Sequence, residues 1–288
     1  MTDSNQDDGV RRTWLEVALN GPWGQARQPR IPVTTKSIIE EGVACVQAGA
    51  SIVHVHAYDE ATGRQNDDWQ LYAEIITGIR DRVDAIVYPT IPFVGEQGVP
   101  LTDAKTRYSH TEELAKRGLI EWAVVDPGST NITHWDQLRR DEPGFVYHNP
   151  EEQVRHALGL ARQFAFHPAY AIYEPGFLRL GAGLHWRCGC PAPVYRFMFT
   201  SDYSFGFPPE DYAMTAYLRL LDQFAPGAQW MIGGLGVDVL PLIPRAVMEG
   251  GHVRVGLEDM TFGTDRSNVE LVEAAVERID NMGGRVAD

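Results

Sequence analysis

The chain has 288 residues, 44% of them hydrophobic and 22% charged, an ordinary globular composition. Its 25 Lys and Arg against 39 Asp and Glu give a formal net charge of −14. That balance argues against nucleic acid or an anionic membrane surface as a partner, because both are held by clustered cations.

Residues 1–12 are polar and acidic and are expected to form a disordered leader, followed by one domain over 13–288. The start lacks the basic-then-apolar pattern of a secretory signal, so the cytoplasm is the expected compartment. Three cysteines, Cys45, Cys188 and Cys190, are too few for a disulfide framework. No run of 18 apolar residues is present to form a transmembrane helix.

From there, short apolar runs alternate with helical patterns. The first run is Trp14–Asn20, and Pro22 stands in the turn after it. A dinucleotide-binding sheet would carry its glycine fingerprint there, so an open doubly wound sheet is the weaker alternative. A helix is predicted over Thr35–Gln47, from the spacing of Ile38, Ile39, Val43 and Cys45. Runs two to four are Ser51–His56, Ala85–Thr90 and Glu121–Asp126, with a helix over Asp68–Val83. Asn149-Pro150 opens a helix over Glu151–Phe164. Runs five to eight are Ala169–Glu174, Pro193–Thr200, Gln229–Gly233 and His252–Gly256. Further helices are predicted over Asp211–Phe224, Val237–Met248 and Asn268–Met282. Eight strand–helix alternations predict an α/β fold, a single-domain (β/α)8 TIM barrel, for which about 250 residues suffice. The connections after runs three and six read as irregular. Cys188-Gly-Cys190, with His185 near it, lacks the second ligand pair of a structural zinc site and reads as two ordinary thiols.

Strands of a parallel barrel are buried on both faces, so polar residues inside them need a reason. In Ile52-Val-His-Val-His56, alternation puts both histidines on one face and both valines on the other. Two imidazoles at i and i+2, near the C-terminal mouth, suit one divalent metal better than two separately satisfied core histidines. The last run places Arg254 inward, where a guanidinium requires carboxylate partners, and Glu258 and Asp259 follow it. Strand eight adjoins strand one, and strand one adjoins strand two, so Glu258 comes within reach of His54 and His56. A His2Glu set with an open position suits catalytic zinc. Taken alone, Glu258-Asp259 would read as the cap of the next helix.

The segments His54-Val-His-Ala-Tyr-Asp-Glu-Ala-Thr-Gly-Arg64 and Gly250-Gly-His-Val-Arg-Val-Gly-Leu-Glu-Asp259 resemble the β-keto acid cleavage enzymes. Weaker likeness runs through Thr35–Ala50, Tyr173-Glu174 with Gly176, and Trp230–Gly236, so that it spans Leu15 to about Ala275. The resemblance implies a zinc-dependent (β/α)8 acyltransferase. A β-keto acid and acetyl-CoA would give acetoacetate and a new acyl-CoA. It implies His54, His56 and Glu258 as zinc ligands, Asp259 as the acid–base residue and Arg254 as its partner. Thr90 takes the place of a hydroxyl residue that is more commonly serine. The expected substrate-facing residues are Asn20, Trp23, Arg64 and Glu174, and the expected assembly is a homotetramer.

The departures fall on the pocket. Trp23 stands where the amino-substrate form carries a glutamate, and Ala171 where the fifth strand usually offers another. Val124 and Asp126 replace a small hydroxyl residue and an asparagine, and Ser201–Pro209 is an aromatic loop. The metal and base motifs are intact, so altered specificity is expected rather than lost activity. Two alternatives stand beside this reading: a zinc-dependent aldolase or hydrolase of the same fold, and a non-catalytic metabolite-binding barrel.

Overall fold

The computed structural model describes residues 11–92 and 103–287. Eight parallel strands form the central sheet: β1 Leu15–Ala18, β2 Ile52–Val55, β3 Ile86–Pro89, β4 Trp122–Val124, β5 His167–Ile172, β6 Val194–Phe199, β7 Trp230–Gly234 and β8 His252–Val255. Their order is 3-2-1-8-7-6-5-4. The two ends of that order meet, with Tyr88 of β3 against Trp122 of β4 at 5.9 Å between rings. The expected (β/α)8 barrel is therefore the fold.

Among the described residues ten α-helices surround it: α1 Thr35–Gln47, α2 Trp69–Arg80, α3 Ala104–Arg107, α4 Ser109–Lys116, α5 Trp135–Arg139, α6 Glu151–Phe164, α7 Pro175–Cys188, α8 Asp211–Phe224, α9 Ile243–Met248 and α10 Asn268–Asn281. Three of them, α1, α6 and α8, have the bounds predicted from periodicity and caps. In α1 the Thr34 side chain accepts from the Ser37 N–H at 3.0 Å, and the Ser37 hydroxyl accepts from the Thr34 N–H. Each thus satisfies an N–H that the first turn leaves free. The buried valines Val17, Val53, Val55 and Val87 join Ile38, Ile75, Ile76 and Ile79 in one apolar layer between strands and helices.

Helices α3, α4, α5 and α7 carry no expectation from the sequence, and one predicted helix is broken. The helix predicted over Val237–Met248 is a 3-10 turn, Leu240–Leu242, followed by α9. Pro241 and Pro244 lack the N–H a longer helix needs there. Helix α7 was not predicted, because Gly176, Gly181 and Gly183 dilute its apolar pattern. It ends at Gly189 in the left-handed conformation, φ 66°.

At the start, residues 1–10 of the expected leader lie outside the described residues. Arg11–Thr13 is a strand that pairs in parallel with Gly284–Val286, so the chain is already ordered before residue 13. At the mouth, two antiparallel hairpins rise from the strands: Tyr58–Asp59 with Arg64–Gln65 after β2, and Thr130–Ile132 with Phe145–Tyr147 after β4. Each returns a side chain to the barrel interior. Among the described residues no helix is long and apolar enough to cross a membrane.

Candidate active site

Four neighbouring strands in the order 2-1-8-7 build the centre. The register Ala18↔His54 and Arg254↔Glu16 sets β2 and β8 on either side of β1. After β8, Gly256 adopts φ +137°, and a Cβ there would lie 2.1 Å from the Ala18 carbonyl oxygen. Only glycine lets the chain pass so close to β1 and turn Glu258 inward.

His54 and His56 are both buried, and their Nε2 atoms lie 3.5 and 3.4 Å from the two carboxylate oxygens of Glu258. One donor atom from each of the three falls within 4.8 Å of the others. His56 Nε2 and Glu258 Oε2 are buried without a hydrogen-bond partner. Two unpartnered acceptor-capable atoms facing one space, in a set of two imidazoles and a carboxylate, fit a divalent metal. The His56 ring is held from behind: Nδ1 meets Gln65 Oε1 at 2.8 Å, and Gln65 Nε2 donates to Asp67 Oδ1 at 2.8 Å. This is the outer support that orients a ligating imidazole. Burial holds His54 well below the usual imidazole pKa, so it is neutral, the form a metal takes. Burial pushes Glu258 up, but Arg254 and the two histidines outweigh it and keep the carboxyl well below its usual range.

Arg254 clamps Asp259 with two bonds, Nε to Oδ2 at 2.8 Å and Nη2 to Oδ1 at 2.7 Å. The same Nη2 lies 2.9 Å from Glu258 Oε1, and Nη1 donates to Glu16 Oε1 at 3.0 Å. Asp259 is 2% exposed; burial raises its carboxyl against the pull of Arg254. A carboxylate held this rigidly beside a metal set, with its pKa raised from the ordinary, is suited to taking a proton from carbon.

These groups line one chamber of about 40 Å3 with Trp23, Thr90, Asp126, Tyr147, Tyr173 and Arg196. Trp23 and Leu235 also line an adjoining open cleft of about 750 Å3, and so form the wall between the two. The indole N–H of Trp23 donates to the Glu258 carbonyl at 2.8 Å. Arg27 lies over the Trp23 and Phe262 rings at 5.0 and 4.0 Å.

The structure moves three of the expected substrate-facing residues away from the chamber. Asn20 is fully buried and spends its amide on backbone, donating to Pro32 and His56 carbonyls at 2.9 Å and accepting from the His56 N–H at 3.0 Å. It fixes the backbone of His56. Arg64 is exposed on its hairpin, and the neighbouring Gln65 points inward instead. Glu174 stands at the N-cap position of α7, where it accepts from Thr130 Oγ1 at 3.2 Å; Tyr173 faces the chamber in its place. Thr90 is on the chamber wall, its hydroxyl donating to the Ile91 carbonyl at 3.3 Å.

Four interior residues carry no expectation from sequence. Glu16 of β1 accepts from Arg254 and, through Oε2, from Arg196 Nη2 at 3.1 Å. The Tyr88 hydroxyl donates to Glu16 Oε1 at 2.7 Å. Arg196 is a second guanidinium on the chamber, beside Arg254. Gln65 is the support of His56. Glu16 and Arg196 could have been found from sequence, since each is a charged residue inside an apolar strand.

A family model described as beta-keto acid cleavage enzyme matches residues 12–288. The chain belongs to that family. A relative from Rhizobium meliloti (strain 1021), named 3-dehydrocarnitine:acetyl-CoA trimethylamine transferase, is 26% identical; the match covers 96% of this chain and 93% of that one. Another from Cupriavidus necator, named 3-oxoadipate:acetyl-CoA acetyltransferase, is 24% identical over 95% of this chain and 90% of its own. Among solved structures, the apo structure of ObcA superposes with a TM-score of 0.69 at 16% identity, covering 91% of this chain; the chain spans 64% of that one's length. That likeness concerns the fold. The family's barrel is thus the frame in which the His54, His56 and Glu258 set sits.

Proposed function

We propose that this member of the beta-keto acid cleavage family holds zinc on His54, His56 and Glu258 and condenses a β-keto acid with acetyl-CoA, releasing acetoacetate and a new acyl-CoA. The observation that carries this reading is the adjacency of two groups: a three-donor set with unpartnered buried atoms, and an aspartate clamped by Arg254. The acetyl-CoA named for both relatives supports the co-substrate.

Bound zinc would polarise the keto group and so acidify the CH2 between it and the carboxylate. Asp259 takes the proton from that carbon. Arg254 holds both of its oxygens, which fixes the direction of transfer and keeps the carboxylate available as base. The resulting carbanion attacks the acetyl thioester carbon: one C–C bond forms, the C–S bond breaks, and coenzyme A leaves as its thiolate. Coenzyme A thiolate then attacks the original keto carbon and the older C–C bond breaks, leaving the acyl group on sulfur. The proton on Asp259 returns to the departing acetoacetate carbon, so the balance closes. The open cleft, with Arg27 and Arg140 on its wall, is the place we assign to coenzyme A.

The proposed working form is a cytoplasmic homotetramer. Trp186 on α7 is 86% exposed, an aromatic that an interface between copies would cover. Light scattering after size exclusion reads the assembly.

The deciding experiment is steady-state turnover of a β-keto acid panel with acetyl-CoA, on metal-loaded protein with and without chelator. Asp259→Asn should lose about 100- to 10,000-fold in kcat while keeping its zinc. Turnover without coenzyme A would make the protein an aldolase or hydrolase. Ligand binding with no acetoacetate from any acid in the panel would make it a binding protein.

A further inference from the structure

The chamber has a second polar side, opposite the metal set. In the strand order, β4, β5 and β6 lie across the barrel from β1, β2 and β8. Arg196 of β6 is 3% exposed and lines the chamber, and its Nε–H has no hydrogen-bond partner. Its Nη2 is already engaged by Glu16 and Tyr88. Beside it in register stands Ala171, whose side chain offers the Nε–H no acceptor. Asp126 lines the same side. It accepts from the Tyr147 hydroxyl at 2.5 Å and from the Ala171 N–H at 3.0 Å, and it makes no ion pair with Arg196. A buried donor left unpaired costs the full desolvation of the group unless a ligand or water meets it.

We propose that Arg196 is a specificity-determining residue: its Nε–H receives the distal end of the β-keto acid, and that end is a short tail bearing a neutral oxygen, a hydroxyl or a second carbonyl. The inference rests on the function proposed above. The charge of the chamber decides between tails. Glu16, Asp126, Glu258 and Asp259 face Arg196 and Arg254, and a divalent ion on the His54 side brings these charges to balance, so the head carboxylate of the substrate already adds one negative charge. A carboxylate tail would add a second negative charge and would approach Asp126. An ammonium tail has no acceptor and would leave the Arg196 Nε–H unpaired. A neutral acceptor satisfies the Nε–H without adding charge to a low-dielectric site. The chamber is small, about 40 Å3, which keeps the tail short.

The test compares three six-carbon acids, 3-oxohexanoate, 6-hydroxy-3-oxohexanoate and 3-oxoadipate, in wild type, Arg196→Met and Arg196→Lys. Binding is read by calorimetry without acetyl-CoA, so that no turnover is needed, and kcat/KM is read with it. Zinc content and the melting temperature select the variants that fold. Wild type should favour the hydroxy acid over both others by about 10- to 100-fold. In either folded variant the hydroxy acid should lose more than 3-oxohexanoate does, so that the preference disappears. A preference for 3-oxoadipate, or a preference unchanged in a folded variant, overturns the proposal. Equal loss on all three acids also overturns it, because Arg196 would then only position Glu16. If wild type turns over none of the three and binds none, the parent reading of the site fails instead.

Discussion

Glu16 bridges the two arginines of the chamber, with Oε1 on Arg254 at 3.0 Å and Oε2 on Arg196 at 3.1 Å. It thereby connects the clamp on Asp259 to the guanidinium on the far wall. Breaking a buried ion pair from one side leaves an uncompensated charge, typically at a cost of about 3–5 kcal/mol. Glu16→Ala takes from Arg196 its carboxylate partner, while Arg254 keeps Asp259 and Glu258, and should lower the unfolding free energy by about that amount in urea titration. Glu16→Gln keeps the shape and one acceptor and should cost less. Equal, small effects from both would show that the charge of Glu16 is not what holds the arginines.

The second prediction concerns Asn20, whose amide fixes the backbone on both sides of the His56 peptide. Asn20→Ala leaves buried His56 N–H and C=O groups without partners, each worth about 1–3 kcal/mol. Metal affinity should fall together with stability, as measured by elemental analysis after dialysis and by thermal melting. A residue that faced substrate would instead raise KM and leave zinc content alone.

Gln65 separates support from ligation. It touches His56 Nδ1 at 2.8 Å and makes no approach to Glu258. Gln65→Ala should weaken metal binding by about 10- to 100-fold, the usual effect of removing the partner that orients a ligating imidazole. His56→Ala should leave almost no bound metal. Identical zinc content in both variants and wild type would refute the ligand assignment.

The clustering of His54 and His56 and the barrel are legible because each has a sequence signature. His54 and His56 alternate inside an apolar strand, and the strand–helix rhythm repeats eight times. What escaped the sequence is contact made across the barrel. Nothing in the segment around Gln65 says that its hairpin folds back onto His56. Nothing near Asn20 says that its amide turns from the chamber to the backbone of β2. Glu16 and Arg196 are 180 positions apart, so their pairing exists only once the sheet closes. Helix α7 escaped for a different reason: its glycines weaken the period, and it is packing against the barrel that makes it a helix.

The last prediction sits at the opposite end of the barrel. His252 lies against Trp14, with ring centroids 4.0 Å apart; its Nδ1 accepts from the Trp14 N–H at 3.1 Å and its Nε2 meets Gln229 Oε1 at 2.8 Å. Burial pushes its pKa down to about 4. The folded state thus prefers neutral His252, whereas the unfolded chain protonates it near the ordinary value of about 6.5. Above that value neither state is charged at this position, and the stability it allows is complete. Between about 6.5 and 4 the unfolded state binds the additional proton, so stability falls as the pH falls. Below about 4 both states carry the proton and the loss levels off. The shift corresponds to about 3 kcal/mol at most. Denaturant titrations at pH 7.5 and 4.5 should therefore show a smaller pH-dependent loss in His252→Gln than in wild type, by about 2–3 kcal/mol. If the two proteins lose equal stability, His252 is not the group that binds the proton on unfolding.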